Sequence, residues 1–512
     1  MSSHPGYLFL SLAPGVSVAP AGPGALAVER PPRRIVLKLL DDGTAAGLRR
    51  LARGPAGRAE LDRVATRAAS AADLDRLDLE LARLAAKSML EFGCVVNGDE
   101  LLRAAPVSEL ARFCFPAAPA APAAPAAPAA PAAPAAAPAT KVRLSRFAYL
   151  RRSGDDVVLE SPTSYARVTL ARPALGALVA AFAVPREPRA AAALVPGEDP
   201  AAVQAAVAFL IGAGVLAEAD HDGATAEDRS AWARQREFHD VVAHVGSRAG
   251  LTDHPMGATL RFKGTITPEP AVKEPAPGPR VPLPRPDMSR LAASDPPLAR
   301  VMEARCSRRE HGSRPITVDQ LGEFLYRVGR IRAVRTVDER SGRYYESSSR
   351  PYPSGGAIYD IELYVTVRCC SGVGPGLYHY DPLRHELTLV SDRLESVRRI
   401  LLGAYVGSGR VSEPQTVITL ASRFTRASWK YEAIAYSLTL KNVGVLYEAM
   451  YLAATAMGLA GCGLGSGDSS LFSQVTGLDP LVESSVGEFM LGAPPAVPVP
   501  SPRPAGRGRE VS

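Results

Sequence analysis

Between residues 116 and 139 the chain contains nothing but Pro and Ala, with Pro at 116, 119, 122, 125, 128, 131, 134 and 138. Proline has no amide proton to give to a helix or a sheet ladder and holds φ near one value, so neither regular structure can run through this tract. Its composition predicts a semi-rigid polyproline spacer of up to roughly 70 Å at about 3.1 Å per residue. Spacing is its plain role, and docking to a proline-recognition domain is the alternative. The spacer divides the 512 residues into two parts that must fold around it.

The two flanks have a similar rhythm. Before the spacer, a strand-like Ile35 to Leu40 precedes Ala/Leu/Arg helices at 46–53, 57–71 and 73–91, then aliphatic Cys94-Val95-Val96 and Asn97-Gly98. After it, Val142 to Leu150 and Val157 to Leu170 form a hairpin pattern around Ser153-Gly154-Asp155. Helices near 173–183 and 199–213 and a final Val215-Leu216 follow. Strand, helix pair and strand fit a winged-helix-like module on each side, with a faint duplication between them. Ten prolines between 268 and 297 mark an extended connector into the remaining C-terminal part.

A chain of this length has ample apolar residues for two to four cores. Six cysteines form neither a paired framework nor a metal-binding spacing, which favours free thiols in a reducing cytoplasm. His379, His239 and His244 have no metal-ligand partners at sensible spacing, so no metal site is expected. A formal charge of +7 without an aromatic-basic stripe does not indicate nucleic acid. The short apolar stretch Tyr7 to Leu10 has no basic leader, so no signal peptide is expected. The apolar helix pattern at 432–459 holds Lys441, Asn442 and Glu448 and reads as a protein helix rather than a membrane span.

Four segments carry chemistry. Pro353-Ser354-Gly355-Gly356-Ala357 leads into the alternating strand Ile361 to Val367, and small residues there let backbone lie flat against a planar ligand such as a flavin. The others are Arg305-Cys306-Ser307-Arg308-Arg309, Trp429-Lys430-Tyr431, and the run from Gly461 to Asp468. Taken singly, each has an ordinary reading: a Pro-Gly turn, a solvated arginine face, a surface lysine beside a core tyrosine, and a helix C-cap. No Gly-x-Gly-x-x-Gly fingerprint follows a strand, which argues against a Rossmann nicotinamide domain.

In this order and spacing the segments resemble the C-terminal half of the SagB/ThcOx-type peptide dehydrogenases, flavin enzymes of the nitroreductase fold. The likeness begins near Trp232 to Arg248 and runs to the terminal strand Val486 to Gly492. It is especially close at Gly376 to Asp381 and from Ala435 to Gly467, and Leu144 to Leu170 is similar to the accessory region many members carry. The resemblance implies an α+β fold: a nitroreductase-type FMN domain at 286–495 behind winged-helix-like modules at 1–115 and 140–225. The Pro-Ala linker at 116–139, a connector at 226–285 and a disordered tail at 496–512 complete the expected organisation.

By the same resemblance, FMN is held by Arg305, Ser307 and Arg309, by Pro353, Ser354, Gly355 and Gly356, with Ser354 and Gly355 nearest the ring, and by Gly463, Leu464 and Gly465. Cys306 departs from the usual Arg-Arg-Ser-x-Arg, so Cys306 need take no part. Lys430 and Tyr431 are implied as the catalytic pair, the lysine taking a ring proton while hydride leaves for the flavin. The implied reaction is oxidation of thiazoline or oxazoline rings to thiazole or oxazole in a ribosomally made, cyclodehydrated peptide. Implied partners are the precursor peptide, whose leader adds a strand to a sheet edge, a cyclodehydratase complex and a second copy of the chain; dioxygen is the implied final oxidant. Two alternatives stand beside it: an NAD(P)H-fed nitro- or quinone reductase of the same fold, and a catalytically silent peptide-binding scaffold.

Overall fold

The computed structural model describes residues 7–31, 33–68, 73–115 and 140–496. The expected spacer at 116–139 and nearly all of the expected tail lie outside the described residues. Contacts divide the chain into two units, Met1–His254 and Pro255–Ser512.

The first unit is built on one antiparallel sheet. Its strands are β1 (Leu8–Leu12), β2 (Ala56–Gly57), β3 (Leu90–Val96), β4 (Asp99–Pro106), β5 (Tyr149–Ser153), β6 (Asp156–Ser161) and β7 (Ala166–Leu170), in the spatial order β2-β1-β3-β4-β7-β6-β5. The tight Asn97-Gly98 connection joins β3 to β4, both residues at positive φ, as hairpin turns require. Pro162 ends β6 and a four-residue turn follows, so the expected run from Val157 to Leu170 becomes two strands.

The segments on either side of the spacer are therefore not two self-contained modules. β4 pairs with β7 through five residue pairs, Leu102 opposite Leu170 and Pro106 opposite Ala166. Leu8, Cys94, Leu102 and Ala104 share one core with Leu159, Val168, Leu178 and Phe209. Deleting residues 1–139 should strip β7 of its neighbour and open that core. The shortened protein is expected to lose the cooperative melting transition of residues 140–254, with rapid proteolysis there, while the transition of the C-terminal unit persists. An intact, protease-resistant 140–254 would show that half the sheet suffices.

The expected connector at 226–285 is also not free chain. Its first half belongs to the N-terminal unit: Trp232 stacks on Phe147 with centroids 5.7 Å apart, and Asp253 pairs with both terminal nitrogens of Arg167 at 2.9 Å. Its second half belongs to the C-terminal unit, where it supplies the edge strand β8 (Arg280–Pro282).

The sheet of the second unit adds β9 (Ile361–Val367), β10 (Gly376–Asp381), β11 (Glu386–Ser391), β12 (Thr416–Arg423), β13 (Ala460–Leu464) and β14 (Glu483–Gly492), in the order β8-β11-β10-β9-β12-β14-β13. Alternation along β9 sends Ile361, Leu363, Val365 and Val367 to one face. There they meet Leu321, Phe324 and Val328 of α1 (Val318–Gly329) and Val443, Leu446 and Met450 of the long α4 (Ala435–Ala456). Across the sheet lie α2 (Leu394–Gly407), whose Val397 and Leu401 pack on Val417 and Met490, and α5 (Ser469–Thr476), whose Phe472 packs on Tyr364. The short α3 (Phe424–Lys430) follows β12 directly. Among the described residues, no helix is long and apolar enough to cross a membrane.

Candidate functional site

The loop after Tyr352 holds three left-handed residues within four positions: Gly356 at φ 60°, Ala357 at 56° and Tyr359 at 47°. Non-glycine residues adopt that region at a cost, and such strain persists where surrounding bonds over-determine it. Those bonds are present. The Tyr359 N–H donates to Ser354 Oγ at 3.0 Å, the Tyr359 hydroxyl to the Tyr352 carbonyl at 2.9 Å, and the Gly355 N–H to Asn442 Oδ1 at 3.1 Å. Asn442, buried on α4, in turn donates to Asp360 Oδ1 at 2.7 Å, while Asp360 Oδ2 accepts from Ser422 at 2.9 Å and Thr439 at 2.7 Å.

Ser354 and Gly355, expected nearest the ring, thus use polar groups to hold the loop itself. Gly356, exposed beside them, is the residue against the lysine. The Lys430 ammonium donates to its carbonyl at 3.4 Å and to the Tyr345 hydroxyl, and that hydroxyl donates to the Gly356 carbonyl at 3.0 Å. A Cβ on Gly356 would fall on Lys430 Nζ and the Tyr431 hydroxyl, with Lys430 Cε at 3.2 Å. The structure therefore brings together the Pro353–Ala357 loop and the Lys430-Tyr431 pair, from segments more than seventy residues apart.

α3 owes its position to Arg426. This buried guanidinium donates to the Ile358 carbonyl at 2.6 Å, the Glu269 carbonyl at 2.6 Å and the Glu346 carbonyl at 2.8 Å, joining loop, helix and connector. Desolvation, then neighbouring Arg423 and Arg350, push its pKa down to about 10. The connector drapes over the same helix: Trp429 Nε1 donates to the Ile266 carbonyl at 2.6 Å, the Leu260 N–H to the Lys430 carbonyl at 3.3 Å, and Glu432 accepts from Thr259 and Arg261 at 3.0 and 3.2 Å. The strap both accepts, through the Ile266 and Glu269 carbonyls, and donates, through Thr259, Leu260 and Arg261.

The arginine segment and the glycine run meet at a second cluster, around Tyr451 of α4. The guanidinium of Arg305 lies 5.4 Å from the Tyr451 ring centroid. Ser307 Oγ is 3.0 Å from the Tyr451 hydroxyl, which also accepts the Gly463 N–H at 2.8 Å. The Arg308 N–H donates to the Gly461 carbonyl at 3.0 Å. Arg309 is exposed, and so is Cys306. Nine residues of α4 separate Asn442 from Tyr451, about 13 Å of helix at ~1.5 Å per residue.

Gly461 to Leu464, whose ordinary reading is a helix C-cap, lies in the edge strand β13. A Cβ on Gly461 would meet Phe489 at 2.8 Å, and one on Gly463 would meet Tyr451 at 3.4 Å, so these glycines permit close packing on β14 and α4. Leu464 turns its side chain into the core beside Val417 and Met490. Gly465 is exposed with open space around it, and Asp468 caps α5 by accepting the Leu471 N–H at 2.8 Å. Tyr345, Arg426, Asn442 and Tyr451 escaped the sequence reading as site-forming residues. Of these, only Asn442 left a local signal, a polar side chain in an otherwise apolar helix.

Two family models match the chain. The cyanobactin oxidase ThcOx model covers residues 142–253, and the nitroreductase family model covers residues 302–493. A putative nitroreductase of Methanocaldococcus jannaschii is 29% identical over 181 residues, 35% of this chain and 82% of that protein. The microcin B17-processing protein McbC of Escherichia coli is 30% identical over 138 residues, 25% of this chain and half of McbC. Among solved structures, the E. coli microcin synthetase McbBCD complex with truncated pro-MccB17 bound aligns at 24% identity and TM-score 0.29, covering 37% of this chain and 66% of the matched one. With a ThcOx domain in its N-terminal unit and a nitroreductase domain in its C-terminal one, the chain belongs to the SagB/ThcOx-type proteins of the nitroreductase fold.

Proposed function

We propose that the protein is an FMN-dependent dehydrogenase that oxidises azoline rings to azoles in a ribosomally made, cyclodehydrated peptide. The observation that carries this reading is the juxtaposition of Lys430 and Tyr431 with the glycine cradle at 355–356. Proteins of the nitroreductase family typically bind flavin. The residues present suit one. The cradle excludes even a methyl group beside Lys430, leaving backbone for a flat ring, and Arg305, Ser307 and Arg309 offer cationic and hydroxyl donors to a phosphate and its ribityl chain. Gly465 is exposed and open, whereas the Gly463 N–H is already given to Tyr451 and the Leu464 carbonyl accepts from Tyr447.

When bound, the flavin supplies the two-electron acceptor for the hydride lost from the azoline ring. The chain supplies the rest. Lys430 Nζ takes the proton from the neighbouring ring carbon, so that each ring loses one hydride and one proton and gains one double bond. The Tyr431 hydroxyl, across from the same cradle, orients the ring. The peptide reading rests on the ThcOx-type domain and on McbC, named for processing microcin B17. A precursor peptide and a cyclodehydratase are accordingly the partners proposed, and β5, at the end of the N-terminal sheet, offers an edge to a peptide strand. Exposed Tyr436, Leu440 and Val445 on α4 suit a second copy of the chain.

Denaturing the purified protein is expected to release FMN. A colourless protein, to which FMN at tens of micromolar adds neither fluorescence quenching nor thermal stabilisation, would sink the flavoenzyme reading. The M. jannaschii relative keeps one competing reading in play, and NAD(P)H consumption with a nitroaromatic substrate, without azoline oxidation, would favour it.

A further inference from the structure

We infer that Tyr345 is a positioning residue for Lys430, an inference that rests on the reading of Lys430 as the proton acceptor. A lysine ends in a flexible four-carbon stem, and fixing it costs up to about 2 kcal/mol of rotamer entropy. Something must hold Nζ if it is to meet a ring proton repeatedly in one geometry. Two oxygens do so here: the Gly356 carbonyl and the Tyr345 hydroxyl.

The tyrosine's contribution is directional. Its single hydroxyl proton goes to the Gly356 carbonyl at 3.0 Å, so toward Lys430 the phenol oxygen can only accept. The neutral amine must then turn an N–H to Tyr345 and its lone pair elsewhere, away from the loop. After the proton is taken, the same two oxygens receive the ammonium. Nothing in this sequence of events requires Tyr345 to gain or lose a proton.

Tyr345 is itself fixed on both flanks. Its ring leans on Trp429 with centroids 6.1 Å apart and planes at 59°, and Lys430 Nζ lies 4.8 Å from the ring centre. The Lys263 ammonium sits 3.5 Å above the neighbouring Tyr344 ring. On the other side the Glu346 carbonyl accepts from Arg426 at 2.8 Å, and its carboxylate accepts the Ala271 N–H at 3.1 Å. Sequence spacing gives no hint of this, because Tyr345 and Lys430 are 85 residues apart.

The test uses the full chain with its flavin and a synthetic peptide carrying one thiazoline, comparing Tyr345→Phe, Lys430→Ala and the double variant. Tyr345→Phe keeps the ring against Trp429, so the melting temperature should hold. Its kcat is expected to fall roughly 10- to 100-fold with KM nearly unchanged, the scale of a small misplacement of a reacting group. In the Lys430→Ala background, Tyr345→Phe should cost nothing further, because its effect runs through the lysine. Full kcat in Tyr345→Phe beside an impaired Lys430→Ala would overturn this inference alone. So would a loss that adds to that of Lys430→Ala, which marks an independent role, or a loss confined to KM. A fully active Lys430→Ala would instead remove the reading of Lys430 on which the inference stands. If Tyr345→Phe melts early, Tyr345→Trp, which also lacks the hydroxyl acceptor but fills the space, must reproduce the kcat loss.

Discussion

Lys430→Ala is expected to retain its fold and its flavin while azoline oxidation falls by about two to four orders of magnitude, the range for removing a general base. The fold survives because α3 is held by other residues. Arg426 ties it to three backbone carbonyls and Trp429 to a fourth, and alanine is the strongest helix former at the vacated position. No buried polar group is stranded either. Gly356 is exposed and Tyr345 half-buried, so water can replace the ammonium at both. Flavin content should persist because two of the proposed phosphate donors, Arg305 and Ser307, lie against Tyr451, near the other end of α4, and the third, Arg309, follows them in sequence. Tyr431→Phe should be milder, since the ring remains and only the hydroxyl goes. Mass spectrometry of a cyclodehydrated peptide decides the matter through the loss of two mass units per ring. Full-rate oxidation by Lys430→Ala would make the lysine a structural residue and leave the proton acceptor unassigned.

What the sequence discloses about this molecule is mostly local. Alternation placed the strand at 361–367, and apolar density placed the long helix, which the structure sets at 435–456 against an expected 432–459. What it conceals is pairing at a distance. Nothing near Leu102 announces Leu170 as its sheet partner, so a spacer that separates two segments in sequence hides their adjacency in space. The glycine run misled for a related reason. A missing Cβ can mean backbone freedom or a close neighbour, and only the approach of Phe489 to Gly461 tells which. The prolines between 268 and 297 predict an extended connector; the structure puts a strand at Arg280–Pro282 and helices at Met288–Ser294 and Leu298–Ala304, and no sequence signal announces that the carbonyls at Ile266 and Glu269 accept from Trp429 and Arg426. In the candidate site, Lys430 and the 353–357 loop were legible by family register. Tyr345, whose partners lie 11 and 85 residues away, was not.

Gly356→Ala should be nearly as damaging as loss of the lysine, although it removes no functional group. Two penalties act at this position and they can be separated. The first is conformational: at φ 60° an L-residue costs roughly 1–2 kcal/mol. That cost is tolerable here, since Ala357 next door already sits at 56°. The second is steric and specific to the site. The new methyl would occupy the space of Lys430 Nζ and the Tyr431 hydroxyl together, so both side chains must leave or the loop must lift from them. Loop movement is resisted by Asn442 on Gly355, Ser354 on Tyr359 and Arg426 on Ile358, which leaves the side chains to give way. A proton acceptor displaced by an ångström or more forfeits about a hundredfold in rate. Gly477→Ala isolates the conformational penalty, because Gly477 caps α5 at φ 73° with nothing within 4 Å of its absent Cβ. Both variants should melt a few degrees early, and only Gly356→Ala should lose azoline oxidation, by roughly a hundredfold or more. Equal activity in the two would mean that Lys430 and Tyr431 do not work from the positions they hold against the Gly356 cradle.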